Sequence, residues 1–303
     1  MKAVDGVSFV VEKGQIMGLV GESACGKTTV ALATMRLLPP AAKIMGGRIL
    51  FHGEDLLEKT EDEMTRIRWA KISIIFQGAL NSLNPVLPVR EQIAEAILAH
   101  KTLPAANVDQ AIDRGLEAVR LDHDRKRNYP HELSGGMKQR VMIAMALACN
   151  PEIVIADEPT TALDVIVQRQ VLELIRSLRD ELQLALILIT HDLSVVAELC
   201  DKVAIMYAGK IVEVGEIYSV FEGPKHPYTQ GLLRSLPKMD EKKVEISYIP
   251  GYVPDLTGTL PACRFHGRCP YAKQICADQE PQLDTVRPGH QVSCHFWKEI
   301  EQS

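Results

Sequence analysis

The stretch that decides the fold lies near the start of the chain and reads Gly21-Glu22-Ser23-Ala24-Cys25-Gly26-Lys27-Thr28-Thr29. It fits the pattern G-x-x-x-x-G-K-S/T, whose glycines let backbone N–H groups surround phosphate oxygens. An apolar segment of strand character over 15–20 precedes it, and a helical run over 29–38 follows it. A chance lysine in a glycine-rich turn is disfavoured by this context. The stretch predicts a nucleotide site in which Lys27 contacts the β- and γ-phosphates and the Thr28 hydroxyl binds Mg²⁺.

The composition is that of an ordinary globular protein, with 303 residues, 46% of them hydrophobic and 24% charged. This length accommodates two domains, or one domain with an appendage. A net charge of −5 argues against a surface that covers nucleic acid. The longest apolar run, Val141–Cys149, is too short to span a bilayer, and the N-terminus has no apolar signal region. We therefore expect a cytoplasmic protein that is able to dock on a membrane protein.

Apolar runs and periodicities predict strands and helices that alternate along the chain. The strands are expected over 7–11, 15–20, 46–51, 71–76, 152–157 and 184–190, with a hairpin over 202–215 that turns at Ala208-Gly209. The helices are expected over 29–38, 90–100, 108–121 and 136–149, with another between the strands at 152–157 and 184–190. The strands over 152–157 and 184–190 are continuous apolar runs, as found inside parallel sheets.

This order predicts an α/β fold with three parts. The first is a parallel-sheet core formed by residues 1–77 and 151–235. The second is a helical subdomain inserted over 78–150, and the third is a small Cys-containing C-terminal extension over 236–303, where the composition shifts towards Pro, Gly and Cys.

Two carboxylates, Asp157 and Glu158, lie at the C-terminal end of the predicted buried strand over 152–157. Ligands bind at this edge of open α/β sheets. Phosphoryl transfer requires a metal ligand and a group that orients the attacking water, so we assign Mg²⁺ to Asp157 and the water to Glu158. The alternative is a solvated and idle pair of acids, which the phosphate loop upstream disfavours.

A second anion-binding candidate is the start of the helix over 136–149, which is preceded by Leu133-Ser134-Gly135 and continues as Gly136-Met137-Lys138-Gln139-Arg140. Backbone N–H groups at a helix N-terminus attract anions. In isolation, a simple helix cap is the better interpretation of this stretch.

The motifs taken together resemble the ATP-binding subunit of ABC transporters. They include Gln77, Ala162-Leu163-Asp164 and Thr190-His191-Asp192 besides the stretches above, and they occur in the family's order over nearly the whole chain. The resemblance implies a P-loop NTPase with a RecA-like parallel-sheet core. It also implies a head-to-tail dimer in which two ATP molecules lie between the phosphate loop of one subunit and the Ser134 region of the other.

The resemblance also implies individual roles. It assigns catalysis to Glu158, His191, Gln77 and Lys27, and Mg²⁺ binding to Thr28, Gln77 and Asp157. It assigns nucleotide contacts to Gly21, Glu22, Ser23, Ala24, Cys25, Gly26, Lys27, Thr28, Thr29, Ser134, Gly135, Gly136, Gln139 and Asp164.

Several further stretches resemble the oligopeptide/dipeptide importers within this family, and their D-type subunit in particular. They are the runs over 81–86, 136–147, 226–229 and 249–254. This resemblance implies two transmembrane permease subunits, a second ATPase of F-type, an extracytoplasmic substrate-binding protein, and a peripheral position on the cytoplasmic face of a prokaryotic membrane. Import of a nickel chelate or glutathione is an alternative. A soluble ABC ATPase acting on ribosomes or nucleic acid is another, but the chain has one set of motifs and no basic stripe.

Four of the seven cysteines lie close together in the C-terminal extension, at Cys263, Cys269, Cys276 and Cys294. In a reducing compartment, such a group indicates a metal or redox cofactor more than disulfides. The resemblance implies a 4Fe-4S iron–sulfur cluster. Structural Zn²⁺ and buried thiols without metal are the alternatives.

The chain departs from the family pattern in two places. Ala24 stands where relatives usually have glycine, so this position is expected to favour a glycine backbone conformation. Relatives also carry roughly 20 to 40 more residues before the phosphate loop, including an aromatic residue that stacks on adenine. We therefore expect weak ATP binding by this chain alone.

Overall fold

The computed structural model describes residues 1–78, 82–100, 104–235, 248–258 and 260–300. Asn81, from the run after Gln77, and residues 236–247 of the predicted extension lie outside these ranges. The chain divides into two compact units, each described here by itself. The P-loop unit comprises Met1–Val10, Ile16–Val30 and Ile189–Ser303, and the helical unit comprises Val11–Gln15 and Ala31–Leu188.

Strands and helices alternate as expected. The strands are β1 (Ile16–Val20), β2 (Leu50–Phe51), β3 (Glu54–Asp55), β4 (Ile72–Ile75), β5 (Ile153–Asp157), β6 (Ala185–Thr190), β7 (Lys202–Tyr207), β8 (Lys210–Glu216), β9 (Asp284–Arg287) and β10 (His290–Val292). The helices are α1 (Lys27–Thr34), α2 (Glu61–Ile67), α3 (Val89–Ala99), α4 (Val108–Ala118), α5 (Gly135–Leu147), α6 (Val165–Leu182), α7 (Leu193–Leu199), α8 (Ile217–Glu222), α9 (Pro227–Arg234) and α10 (Gln274–Asp278). None of these helices is long and apolar enough to cross a bilayer.

In the P-loop unit, the strand order is β1-β7-β8-β10-β9. β1 pairs with β7 in parallel, and every residue of β1 is buried, as its uninterrupted apolar sequence predicts. β7 and β8 form the predicted hairpin, and its two central residues, Ala208 (φ 47°) and Gly209 (φ 85°), have the positive φ values that two-residue hairpin turns require. β10 adds to β8 in antiparallel orientation, so the C-terminal region supplies two strands to this sheet.

In the helical unit, β4, β5 and β6 are neighbours in that order, and β4 pairs with β5 in parallel. The helices α3, α4 and α5 pack against one another through buried aliphatic side chains such as Ile93, Ile112 and Val141. The indole Nε1 of Trp69 donates a 2.7 Å hydrogen bond to the carbonyl of Met145, the kind of partner that a partly buried indole requires. The predicted α/β class with a helical part is therefore confirmed.

Three predicted elements differ from the structure. Residues 7–11 form no strand, and Val10 is 64% exposed, so this apolar segment lacks a pairing partner among the described residues. The strand expected over 46–51 is only Leu50–Phe51, because the glycines at its start leave the backbone without side chains to pack. The helix expected over 29–38 begins at Lys27 and ends at Thr34, because Arg36 turns into the left-handed region with φ 52° and the N–H of Leu37 then donates to the carbonyl of Leu32 at 2.8 Å.

Candidate nucleotide-binding site

The phosphate loop connects β1 to α1 and depends on glycine at both ends. A Cβ at Gly21 would overlap the carbonyl oxygen of Met206 and lie 2.7 Å from the Sγ of Cys25. Gly26 has φ 105°, and a Cβ there would lie 2.6 Å from the carbonyl oxygen of Ala3. The two glycines of the motif are therefore required by close backbone approach at one position and by a left-handed conformation at the other.

Lys27 is the first residue of α1, and its side chain turns back over the loop. Its Nζ donates to the carbonyls of Gly21 at 2.7 Å and Glu22 at 3.1 Å, and the residue is 7% exposed. Burial raises the pKa of the neighbouring Cys25 thiol, which therefore stays neutral beside the ammonium group. The loop thus carries one fixed positive charge at the N-terminus of a helix, where phosphate oxygens are favoured.

Ala24 has φ 64°, which lies in the left-handed region that glycine adopts without strain. This agrees with the expectation that the position favours a glycine conformation. The side chains of Ser23, Ala24 and Thr28 are exposed, so the outer part of the loop faces solvent.

In the helical unit, β5 ends at Asp157, which is 1% exposed, and Glu158 follows with φ 48°. The Oε2 of Glu158 accepts 2.9 Å hydrogen bonds from the Nε2 of Gln77 and from the hydroxyl of Thr161. The structure therefore brings together two residues that are far apart in sequence, Gln77 and Glu158. A positive φ in a non-glycine residue is a strained conformation of the kind found at functional sites.

Thr161 was missed by the sequence analysis. The available signal in the sequence was its position three residues after Glu158, which is the spacing of a turn. The structure has that turn, because the backbone N–H of Thr161 donates to the carbonyl of Glu158 at 3.2 Å. Together with Gln77, this hydroxyl fixes the direction of the Glu158 carboxylate.

Ser134 and Asp164 are the N-caps of α5 and α6. The Oγ of Ser134 accepts from the backbone N–H of Met137 at 3.4 Å, and the Oδ1 of Asp164 accepts from that of Val167 at 3.0 Å. A Cβ at Gly136 would lie 2.5 Å from the Cγ1 of Val167, so glycine lets the starts of the two helices approach closely. The two caps therefore lie on neighbouring helix N-termini.

The remaining predicted nucleotide residues differ in exposure. Ser134 and Asp164 are exposed, whereas Gln139 is only 3% exposed and packs inside the helical unit. His191 is exposed in the P-loop unit, directly after β6, and Asp192 caps α7 by accepting from the N–H of Ser194 at 2.8 Å.

The four clustered cysteines are all free thiols in the C-terminal region. The backbone N–H of Cys263 donates to the carbonyl of Cys276 at 2.8 Å. Burial raises the pKa of Cys263 to about 11 and that of Cys294 to about 12 when no metal is bound. Over the described ranges, no three His, Cys, Asp or Glu side chains form a group that could hold a metal ion. The predicted metal cluster therefore finds no support in this arrangement.

Two family models match this chain, one in its N-terminal half and one nearer its C-terminus. The model of the ABC transporter family matches residues 4–161, and that of the oligopeptide/dipeptide transporter C-terminal region matches residues 212–276. A probable peptide ABC transporter ATP-binding protein of Sinorhizobium fredii is 47% identical, over 99% of this chain and 90% of its own. The dipeptide transport ATP-binding protein DppD of Bacillus subtilis is 46% identical, over 97% of this chain and 89% of its own.

Solved structures match as well. A dimeric ATP-binding cassette bound to ADP and Pi superposes with a TM-score of 0.62 at 26% identity, covering 71% of this chain and 90% of its own. The cbiO1 subunit of an ABC transporter complex from Clostridium perfringens gives a TM-score of 0.64 at 28% identity, covering 73% of this chain and 84% of its own. The chain therefore belongs to the ABC transporter family of ATP-binding proteins, in the branch that carries the oligopeptide/dipeptide transporter C-terminal region.

Proposed function

We propose that this chain is the ATP-hydrolysing subunit of a membrane importer for oligopeptides or dipeptides. The observation that carries the hydrolytic part is the Glu158 carboxylate, which is oriented by Gln77 and Thr161 directly after the buried Asp157. The peptide cargo is supported by the relatives, two of which are a peptide and a dipeptide transport protein. Import of nickel chelates or glutathione and a soluble role on nucleic acid are not favoured by these relatives.

In this proposal, the phosphate loop binds the triphosphate through its backbone N–H groups and the Lys27 ammonium. Glu158 accepts a hydrogen bond from the attacking water and orients it towards the γ-phosphate, and His191 contacts that phosphate. Gln77 and Thr161 hold the Glu158 carboxylate in one direction, which limits the reorganisation needed during the reaction.

Mg²⁺ suits the donors that the resemblance assigns to it. Thr28, Gln77 and Asp157 offer a hydroxyl, an amide carbonyl and a carboxylate, and hard oxygen donors are what this ion prefers. Mg²⁺ neutralises charge on the phosphate oxygens when it is bound. The buried end of β5 fixes the Asp157 side chain for that role.

Membership of the family also supports a proposal about the partner subunits. We propose a second, F-type ATPase in a head-to-tail dimer, two transmembrane permeases, and an extracytoplasmic binding protein that delivers the cargo. Support for the dimer comes from the exposed caps Ser134 and Asp164, and from Val165 and Ile166, which are 82% and 73% exposed. Contiguous apolar surface rimmed by polar groups marks interaction sites, so we propose that the partner ATPase covers the start of α6.

The test is a comparison of MgATP binding and hydrolysis by variants of the importer complex. Glu158→Gln is expected to bind MgATP normally and to lose activity by about 100-fold or more, because the amide is a poor proton acceptor. Lys27→Ala is expected to lose binding, and Glu181→Gln, at an exposed position on α6, serves as the control. Full activity of Glu158→Gln would overturn the proposed mechanism, and a complex purified without permeases would overturn the transport role.

An iron–sulfur cluster on Cys263, Cys269, Cys276 and Cys294 stays a prediction from the resemblance. Anaerobic purification with metal analysis decides among the three alternatives. Brown protein with about four irons per chain supports the cluster, and colourless protein with one zinc supports a structural site. Colourless protein without metal supports buried thiols alone.

A further inference from the structure

An arginine of the C-terminal region contacts the phosphate loop directly. The guanidinium of Arg268 forms two hydrogen bonds with the carboxylate of Glu22, from Nη1 to Oε2 at 2.7 Å and from Nη2 to Oε1 at 3.0 Å. The Arg268 side chain is 6% exposed and that of Glu22 is 29% exposed. Parallel, partly buried hydrogen bonds of this kind are among the stronger and more directional ion pairs in proteins.

The backbone of the same loop residue is held from a second direction. The N–H of Glu22 donates to the hydroxyl of Tyr228 at 3.0 Å, and Tyr228 is fully buried in α9. The side chain and the backbone of Glu22 are therefore both fixed by residues about two hundred positions later in the chain.

Both of these residues are themselves rigidly placed. Arg268 also donates to the carbonyls of Pro250 at 2.9 Å and Ile249 at 3.1 Å, and its guanidinium lies 5.7 Å from the ring centroid of Tyr207. The rings of Tyr207 and Tyr228 pack at 4.7 Å. The contact is therefore a built arrangement, since a flexible surface arginine would not donate to a carboxylate and two backbone carbonyls at once.

The contact bears on phosphate binding in two ways. Glu22 carries a negative charge within a loop that must attract an anion, and Arg268 neutralises that charge. The carbonyl of Glu22 also accepts from the Nζ of Lys27 at 3.1 Å, so a displaced Glu22 would displace the lysine that contacts the phosphates. A substitution of Arg268 is therefore expected to affect Lys27 through the position of Glu22.

We infer that Arg268 and Tyr228 are positioning residues, through which the C-terminal region matched over residues 212–276 holds the phosphate loop in its triphosphate-binding conformation by way of Glu22. This inference rests on the proposed role of the loop in ATP binding. It gives the C-terminal region a part in nucleotide affinity, separate from any metal on its cysteines.

The first test is a titration of the full chain with a fluorescent ATP analogue and Mg²⁺. Arg268→Gln is expected to raise Kd by about five- to tenfold, the lower end of coupling between linked sites. Arg264→Gln is the matched control, because Arg264 is 7% exposed and pairs with Asp5, which lies outside the loop. Both variants are expected to melt at lower temperature, but only Arg268→Gln is expected to lose affinity.

The second test separates positioning from general destabilisation. In the Arg268→Gln background, Glu22→Gln removes the uncompensated charge, so the double variant is expected to recover part of the lost affinity. Tyr228→Phe keeps the packed ring and removes only the acceptor of the Glu22 N–H, and it is expected to raise Kd about threefold. It also provides the test if Arg268→Gln does not fold.

A failure of this inference is distinguishable from a failure of the proposed role of the phosphate loop in ATP binding. Wild-type affinity in Arg268→Gln, or in Tyr228→Phe where the arginine variant does not fold, overturns the inference. Equal losses in Arg264→Gln and Arg268→Gln, or a double variant weaker than Arg268→Gln, also overturn it. If the wild-type chain binds the analogue no better than Lys27→Ala, the proposed function of the loop fails instead.

Discussion

At the scale of single residues, Ala24 is the position of the phosphate loop where the residue type does not suit the backbone conformation. With φ 64°, this alanine carries the left-handed strain that glycine avoids. We expect Ala24→Gly to stabilise the chain by about 1 kcal/mol, since relief of that strain exceeds the added entropy of the unfolded chain. Urea unfolding measures the change. Ala33→Gly in α1 is the control and is expected to lose up to about 1 kcal/mol; an equal loss in Ala24→Gly would contradict the prediction.

At Gly21, glycine is required for a different reason, because the surrounding atoms leave no space for a side chain. Its Cβ would overlap the carbonyl of Met206, a backbone atom of β7 that cannot move without disturbing the sheet. Gly21→Ala is therefore expected to destabilise the chain by about 2 kcal/mol and to weaken MgATP binding. Thermal unfolding with and without nucleotide measures both. Gly46→Ala is the comparison, because a Cβ there meets nothing within 4 Å, and similar losses in the two variants would show that the close approach is irrelevant.

Residues within one short stretch were predictable, and residues joined by the fold were not. The glycines and Lys27 lie at fixed spacing in one loop, so the motif alone indicates their geometry. Thr161 and Arg268 act on Glu158 and Glu22 through the folded backbone. Arg268 lies 246 positions from its partner, and no local pattern specifies which carboxylate a distant arginine meets.

At the scale of elements, α9 is joined to β8 by a buried polar group. The carboxylate of Glu213 is fully buried and accepts from the backbone N–H groups of Lys225 at 2.7 Å and His226 at 2.9 Å. It also lies 2.7 Å from the Nε2 of His290 on β10. Three segments of the P-loop unit therefore meet at one carboxylate, and one of them supplies the helix that carries Tyr228.

His226 makes this junction sensitive to acid. Burial lowers its pKa to about 4, which outweighs the attraction of the neighbouring Glu213 charge. Because the unfolded chain binds the proton more tightly, the stability that neutral His226 contributes is complete above about pH 6.5 and is lost as the pH falls towards about 4. The full loss is about 3 kcal/mol. We expect His226→Asn, which retains an acceptor for the N–H of Tyr228, to flatten this part of the pH profile of urea unfolding.

The control for this prediction is His131→Asn, at an exposed position of the helical unit. It is expected to leave the profile unchanged. An acid profile for His226→Asn as steep as that of the wild-type chain would refute the assignment to His226.

Element prediction succeeded where the pattern was long or its turn chemistry specific. The hairpin at Ala208-Gly209 and the helices α3 to α5 were predicted from turn residues and periodicity. Residues 7–11 have an apolar pattern suited to a strand, but pairing decides whether a strand forms, and Val10 remains 64% exposed. The start of α1 at Lys27 follows from the backbone of Gly26, which apolar periodicity does not encode.

At the scale of the whole molecule, the proposed head-to-tail dimer predicts a role for the exposed start of α6. Ile166 is 73% exposed and lies two residues after the Asp164 cap, so a partner that covers the cap would bury this side chain. We expect Ile166→Glu to lower the ATPase activity of the assembled complex by about tenfold, the effect of losing one buried apolar contact at an interface. MgATP binding by the isolated chain is expected to be unchanged, because the substitution lies on the exposed side of the helical unit.

Leu182→Glu is the matched control, since Leu182 is 49% exposed at the other end of the same helix, and this variant is expected to retain activity. Full activity of Ile166→Glu in the complex would show that this surface is not covered by a partner and that the dimer uses another face.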